Sequence, residues 1–343
     1  MSKLTAFSCG ACCVLMVCRA NAQTPGAIQQ VDSVQQRRQM EQTARSYEEG
    51  GSAPELYPGE SSDVGPQSIL KYKPRRTWVE AMADAQYFYT DNMFLNEDDK
   101  EVADVLVGTA QVALAPAAYD LGGGRLAPRI GYRHQWFMFG LAKDSQITVY
   151  DFGMGALRQT DLSEFDFNAQ TVFTDGRWKR ENWTIEAGFA FTRLMDTSNY
   201  DQFYRELVPR WGVQRLFPLD EMKAFSIGYE GNYRFADTDL PPPSFDSDFN
   251  SRTDHSLVAA YTHALCKNAI VQPYYRFKYT RFTEGDHRDD YLHSFGLALH
   301  CFFTPQISLR AFTGYDLLES SNPGVPDYKR LDAGGGLNLT FRF

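Results

Sequence analysis

Beyond Ala22 the sequence has no uninterrupted apolar run of the roughly 20 residues that a membrane-spanning helix requires. A helical bundle in a bilayer is therefore excluded. Basic residues are also short: 34 Lys and Arg face 43 Asp and Glu, a formal net charge of -9. The cationic surface that follows a nucleic-acid backbone is missing, so nucleic acid is not an expected partner. Cysteine is scarce, and Cys9, Cys12, Cys13 and Cys18 account for four of the six. The other two, Cys266 and Cys301, cannot make a disulfide framework. Beyond Ala22, His and Cys do not fall at metal-ligand spacing, and Gly122-Gly123-Gly124 reads as a turn rather than a phosphate loop. No metal, cofactor or catalytic residue is expected.

The first residues have the layout of an export signal. Lys3 gives a positive start, Leu4 to Val17 an apolar stretch too short to span a bilayer, and Ala20-Asn21-Ala22 a small-residue site with cleavage expected after Ala22. Residues 1–22 are thus read as a signal peptide. From 23 to 76 the composition is Gln, Ser, Pro, Gly and charge, with Ile28, Val31, Val34 and Met40 at near-helical spacing. Glu48-Glu49-Gly50-Gly51-Ser52-Ala53-Pro54 then reads as linker. This part is expected to be a flexible, partly helical periplasmic arm, serving as a plug, a cell-wall contact or an oligomerising element, or simply a disordered leader.

At Trp78 the texture changes. Segments of ten to fifteen residues alternate with period two and are separated by turn residues. Thr184, Glu186, Gly188, Ala190 and Thr192 fall on one face, and Trp183, Ile185, Ala187, Phe189 and Phe191 on the other. Strands in soluble domains usually have about 5–6 residues, whereas a tilted membrane-crossing strand needs about 9–11. Full charges in mid-strand opposite a face ending in aromatics give a polar lumen and aromatic girdles. The fold class expected is all-β: a transmembrane, antiparallel, up-and-down β-barrel over 77–343 with about twelve strands. Those 267 residues leave about 22 per strand and connection, comfortable for twelve strands and cramped for sixteen.

The connections alternate. Tyr119 to Gly123, Asp175-Gly176-Arg177, Pro218 to Glu221, Lys267-Asn268 and Thr304-Pro305 are short, while Asn96 to Glu101, Leu240 to Arg252, Glu284 to Asp290 and Ser320 to Lys329 are longer and more acidic. Short turns belong on the periplasmic side of such barrels and long loops outside. Both termini are then expected to be periplasmic.

Two segments carry a resemblance. Gly336-Leu337-Asn338-Leu339-Thr340-Phe341-Arg342-Phe343 is similar to the C-terminal signal read by the barrel-assembly machinery of Gram-negative bacteria, with Gly336, Leu337, Leu339, Phe341 and Phe343 as its elements. Ala85 to Leu95, an aromatic strand running into Asp91-Asn92 before an acidic loop, resembles the opening of a broad outer-membrane β-barrel porin family. The resemblance implies a location in the cell outer membrane and a fold, and it carries over no catalytic residue.

Alternation places Arg125, Arg129, Arg133, Arg210, Arg234, Arg276, Lys278, Arg310 and Arg342 in the lumen, with Glu80, Asp84, Asp166, Glu186, Glu206 and Glu230 opposite. Rings of charge set selectivity in pores, so the leading expectation is a narrow channel for passive diffusion of small polar or anionic solutes. The same charges could instead pair and close the barrel, since twelve strands lie between a filled interior and an open pore. A non-conducting anchor acting through its acidic loops or arm is the alternative, and an outer-membrane lipid hydrolase a remote one. His293-Ser294 and His255-Ser256 point to opposite faces of their strands and cannot act as base and nucleophile within one strand. Expected partners are outer-membrane lipid and lipopolysaccharide, the assembly machinery and small polar solutes. Cys266 and Cys301, two strands apart with one side chain toward the lumen and the other toward lipid, are expected to be free thiols.

Overall fold

The structure, a computed structural model, describes residues 19–49, 78–98, 100–141, 146–151, 156–239, 247–285 and 287–343. Twelve long strands form one antiparallel sheet: β1 Val79–Thr90, β2 Ala103–Leu114, β3 Gly124–Phe139, β4 Phe167–Arg180, β5 Trp183–Asp196, β6 Gln202–Pro218, β7 Lys223–Thr238, β8 Arg252–Cys266, β9 Ala269–Phe282, β10 Asp289–Phe302, β11 Ile307–Ser320 and β12 Tyr328–Arg342. Each pairs with its neighbours in sequence, and β12 pairs with β1, so the sheet closes into an up-and-down barrel. At the closing seam the Trp78 and Val79 N–H groups donate to the Phe343 carbonyl, and the Phe343 N–H to that of Val79. Gly334 of β12 lies so close to Phe88 of β1 that an added Cβ would sit 2.3 Å from the Phe88 Cβ.

The burial pattern is that of a water-soluble protein turned inside out. Outward side chains are large, apolar and exposed, such as Val112, Phe189, Phe235 and Leu257, whereas Gln86, Gln135 and Gln272 are fully buried inside. Such an exterior suits hydrocarbon rather than water, and the closed ring leaves no unpaired strand edge within it. The fold is a twelve-stranded transmembrane barrel, as the strand periodicity predicts.

Two local expectations change, and one connection carries structure of its own. Asp175-Gly176-Arg177 is not a turn but part of β4, where Asp175 pairs in register with Arg129 and Gly188. The turn falls at Glu181-Asn182, with Glu181 at φ 52°. The cue was misleading because Gly176 is tolerated where a strand is paired on both sides, opposite Pro128 and Ala187. The long β3–β4 connection carries its own hairpin, Gln146–Asp151 with Ala156–Asp161, followed by a 3-10 turn, Leu162–Phe165. Gly140, at φ 70°, makes the bend out of β3 that an L side chain would strain. Finally, a bulge between Ala264 and Cys266 sets Cys266 opposite Ala269, which pairs with Cys301, so the two cysteines share a row instead of diverging. They are free thiols, kept apart by the two strand spacings of about 4.8 Å each.

The Gln-rich segment is a single helix, α1, over Arg19–Glu49, and it lies inside the barrel rather than in an arm outside it. Gln is a good helix former, and 31 residues rise about 46 Å, enough to thread the lumen. Its start overlaps the expected cleavage site after Ala22, and residues 1–18 lie outside the described part. Gly26 packs at the long-loop end, where an added Cβ would meet the Met93 carbonyl at 3.3 Å. Ala44 packs with Ile270 and Phe302 at the short-turn end. The helix thus begins at the opposite end of the barrel from Phe343.

Candidate functional site

The helix meets the barrel wall differently on its two flanks. One flank is fastened by ion pairs to the strands on either side of the seam. Arg37 pairs with Asp332 of β12 at 2.5 Å and lies over the rings of Phe88 and Phe312. Arg38 is 3.5 Å from Asp84 of β1, and Glu41 pairs with Arg310 of β11 at 2.5 Å and accepts from Ser308. Arg310 also reaches Asp84 at 2.7 Å, and Arg330 donates to the Ser33 hydroxyl at 2.9 Å. Higher up, Asp32 pairs with Arg234 of β7 at 2.8 Å and Lys278 of β9 at 3.5 Å. Charges removed from water demand partners of this kind. A helix with this polar surface fits a polar lumen and would not fit an apolar core.

The other flank leaves a cavity of about 690 Å³ between α1 and the wall. The helix contributes Gln35, Gln36, Gln39 and Gln42. The wall contributes Arg129, Arg133, Asp175, Arg210, Glu230 and Arg276. The cavity reaches the turn residues Glu181, Asn182, Asp220 and Glu221 at the short-turn end. Beside it there, Arg125, Arg177, Lys179 and Arg180 line a basic vestibule.

The long-loop end is sealed by apolar packing. Ala27, Ile28, Val31 and Val34 of the helix, at helical spacing, join Phe137, Phe139, Phe167 and Phe203 of the wall and Leu162 and Phe165 of the β3–β4 connection in one buried cluster. Phe137 stacks on Phe167 at 4.4 Å, and Phe94 meets Phe165 edge-on at 5.0 Å. The Asp91-Asn92 motif locks the neighbouring loop. The Asn92 side-chain amide donates to the carbonyls of Asn96 and Lys329 and accepts from the Asn96 N–H.

Of the residues placed in the lumen from sequence, Arg129, Arg133, Glu186, Arg210, Glu230, Arg234 and Arg276 line the cavity. Lys278 and Arg310 face inward but are buried against α1. Arg125 belongs to the vestibule, and Arg342 reaches Glu80 at the barrel's end. Asp166 is not in the lumen wall: it precedes β4 at the long-loop end and accepts the Phe139 N–H at 2.8 Å. The charges largely pair, which the sequence left open: Arg177 with Glu186 at 2.5 Å, and Arg234 with Glu206 and Asp254 at 3.2 and 2.8 Å.

Asp32, Arg37, Arg38, Glu41, Asp175 and Asp332 were not singled out from sequence. The first four belong to α1, whose alternating charges in a Gln-rich context gave no sign of what they face.

Three outward histidines sit beside tyrosines: Tyr132 and His134 at 3.1 Å, Tyr229 and His255 at 2.7 Å, Tyr275 and His293 at 2.8 Å. Ser294 and Ser256, by contrast, are buried on the lumen side, and Arg276 donates to the Ser256 hydroxyl.

No family model matches the chain, and no curated protein matches it. Among solved structures it is similar to the β domain of the Bordetella autotransporter BrkA, with 12% identity over 78% of this chain and 100% of that one at a TM-score of 0.41. It is also similar to an outer membrane channel from Pseudomonas putida F1, with 12% identity over 84% of this chain and 100% of that one at 0.47. An anion-selective porin from Comamonas acidovorans shows 8% identity over 77% of this chain and 98% of that one at 0.37. The likeness is one of fold. The class defined by that fold and by this lumen is a transmembrane β-barrel with an internal helix.

Proposed function

We propose that the chain is an outer-membrane channel without enzymatic chemistry, in which small polar solutes, anions favoured, diffuse along one side of a resident helix. The observation that carries this reading is the lateral cavity of about 690 Å³, lined by helix amides and wall guanidiniums and reaching the short-turn end. On this reading the leader is removed after Ala22, the short-turn end is periplasmic and the C-terminal strand is read by the assembly machinery. The apolar seal at the other end makes conduction small and intermittent, since a solute passes only when α1 or the β3–β4 connection shifts.

The seal and the buried ion pairs also favour a second reading, a non-conducting anchor. Planar-bilayer conductance separates the two. Small, flickering steps from the full chain, enlarged in Asp32→Asn/Glu41→Gln, are expected for the channel. Folded protein silent in both forms would establish the anchor.

A further inference from the structure

The lumen wall contains a guanidinium, that of Arg133, which no described carboxylate pairs with. Arg129 donates to both carboxylate oxygens of Asp175, at 3.1 and 3.0 Å, and lies 3.5 Å from Glu80. Arg210 reaches the same Asp175 at 3.1 Å. Arg133, on the same face of β3 as Arg129, makes neither ion pair nor hydrogen bond to any described residue, and its Nε is buried without a partner. The cations Arg38, Arg210 and Arg129 act on it electrostatically, and Asp175, the carboxylate that offsets them, is already engaged by Arg129 and Arg210.

The other cavity carboxylates are committed or distant. Glu186 is held by Arg177, Glu206 and Asp32 by Arg234, and Glu230 stands four strands away on β7. A guanidinium left in such surroundings favours an anion that brings its own charge, and its planar fork matches a carboxylate or phosphate bidentately. The helix lines the same cavity with Gln35, Gln39 and Gln42, at i, i+4 and i+7, so their amides lie along one helical stripe.

We propose that Arg133 is the centre of an anion-binding site that takes the carboxylate or phosphate group of a small hydroxylated solute, while the glutamine amides meet its hydroxyls. This names the solute class for the channel reading and rests on that reading for its physiological sense. The site itself can be tested without it.

Isothermal titration of the folded, detergent-solubilised full chain with gluconate, inorganic phosphate, acetate and sorbitol is the test. Saturable binding of gluconate is expected, with acetate weaker, phosphate reporting whether the site takes that head group as well, and sorbitol giving no heat. Arg133→Gln should weaken gluconate at least about tenfold, and Arg133→Lys, which keeps the charge but not the fork, about three- to tenfold. Heat-modifiable migration checks that each variant is folded. Gluconate binding no tighter than sorbitol in the wild type, or Arg133→Lys and Arg133→Gln both at wild-type affinity, would overturn the site. Conductance without saturable binding removes the site and leaves the channel, whereas binding without conductance keeps the site and removes the channel.

Discussion

Asp32 and Arg234 lie 202 positions apart in the chain, yet one guanidinium nitrogen reaches both oxygens of the carboxylate, at 2.8 and 3.0 Å. Arg234 in turn is held by Glu206 and Asp254, and Lys278 bridges Asp32 and Asp254 at 3.5 and 3.8 Å. A helix carried on Asp32 is thereby tied to four successive strands, β6 to β9.

Asp32→Asn keeps the shape and removes the charge, and Arg234 retains two carboxylates, so the barrel should remain folded. The helix loses a charge-assisted contact of about 1.5–3 kcal/mol. Amide exchange along α1 should therefore accelerate about 10- to 100-fold while exchange in the strands stays unchanged, as read by mass spectrometry. Unaltered helix protection would show that the tie contributes nothing.

Arg129→Glu puts a third carboxylate beside Asp175 and Glu80, both within 3.5 Å of the present guanidinium. If ions pass the cavity, the reversal potential in a salt gradient should move toward cations. The variant should also melt earlier, because unpaired carboxylates brought together in a partly buried site repel one another. A more anion-selective pore would contradict the placement of Arg129 on the path.

Much of this barrel is legible in the sequence because period-two alternation is local: Trp183, Ile185, Ala187 and Phe189 declare their face without any partner. The helix is legible as a helix through Ile28, Val31 and Val34, whereas its place in the lumen is only one of the roles, a plug among them, that its composition allows. Its place is fixed by pairs such as Arg37 with Asp332, separated by 295 positions, and no local pattern encodes a pairing of that range. The same limit explains Asp175. Its role is defined by Arg129 and Arg210, while its immediate neighbour Gly176 suggests a turn. The bulge before Cys266 is likewise a property of strand pairing, and alternation alone assigns that residue to the wrong face.

Deleting Phe343 removes the three backbone hydrogen bonds that join it to Trp78 and Val79, together with the stacking on Phe341 at 6.5 Å. The seam then ends one residue short on the side where assembly is expected to begin. Protein lacking Phe343 should fail to reach the heat-modifiable form and be degraded. Normal amounts of that form in the outer membrane would refute the role given to the terminus.

Asp166 supplies a pH signature for the long-loop end. Burial is the main cause that raises its carboxyl to about 6, the Phe139 N–H opposes the rise, and Asp196 adds to it. A carboxyl with a folded-state value above its unfolded one, about 3.9, binds more protons in the folded form. Stability should therefore fall as pH rises from about 4 to about 6 and stay lower above that. In Asp166→Asn, whose amide oxygen can still accept the Phe139 N–H, this component should vanish from the pH dependence of the melting midpoint. An identical profile in both proteins would mean that Asp166 titrates normally.

Cys266 and Cys301 should each take up one maleimide in the unfolded, unreduced protein. A crosslinked peptide containing both would require the strands between 253 and 303 to be arranged differently from the paired rows of β8, β9 and β10.

The contacts of Arg37, Arg38 and Glu41 fall on Asp332, Asp84 and Arg310, residues of the last, first and eleventh strands. The rod inside the ring is therefore latched across the place where the ring's two ends meet. Whatever draws the rod out releases those latches together, so widening the bore and loosening the wall are a single mechanical event. A sheet wrapped around such a rod has its own two ends held side by side by one and the same set of contacts.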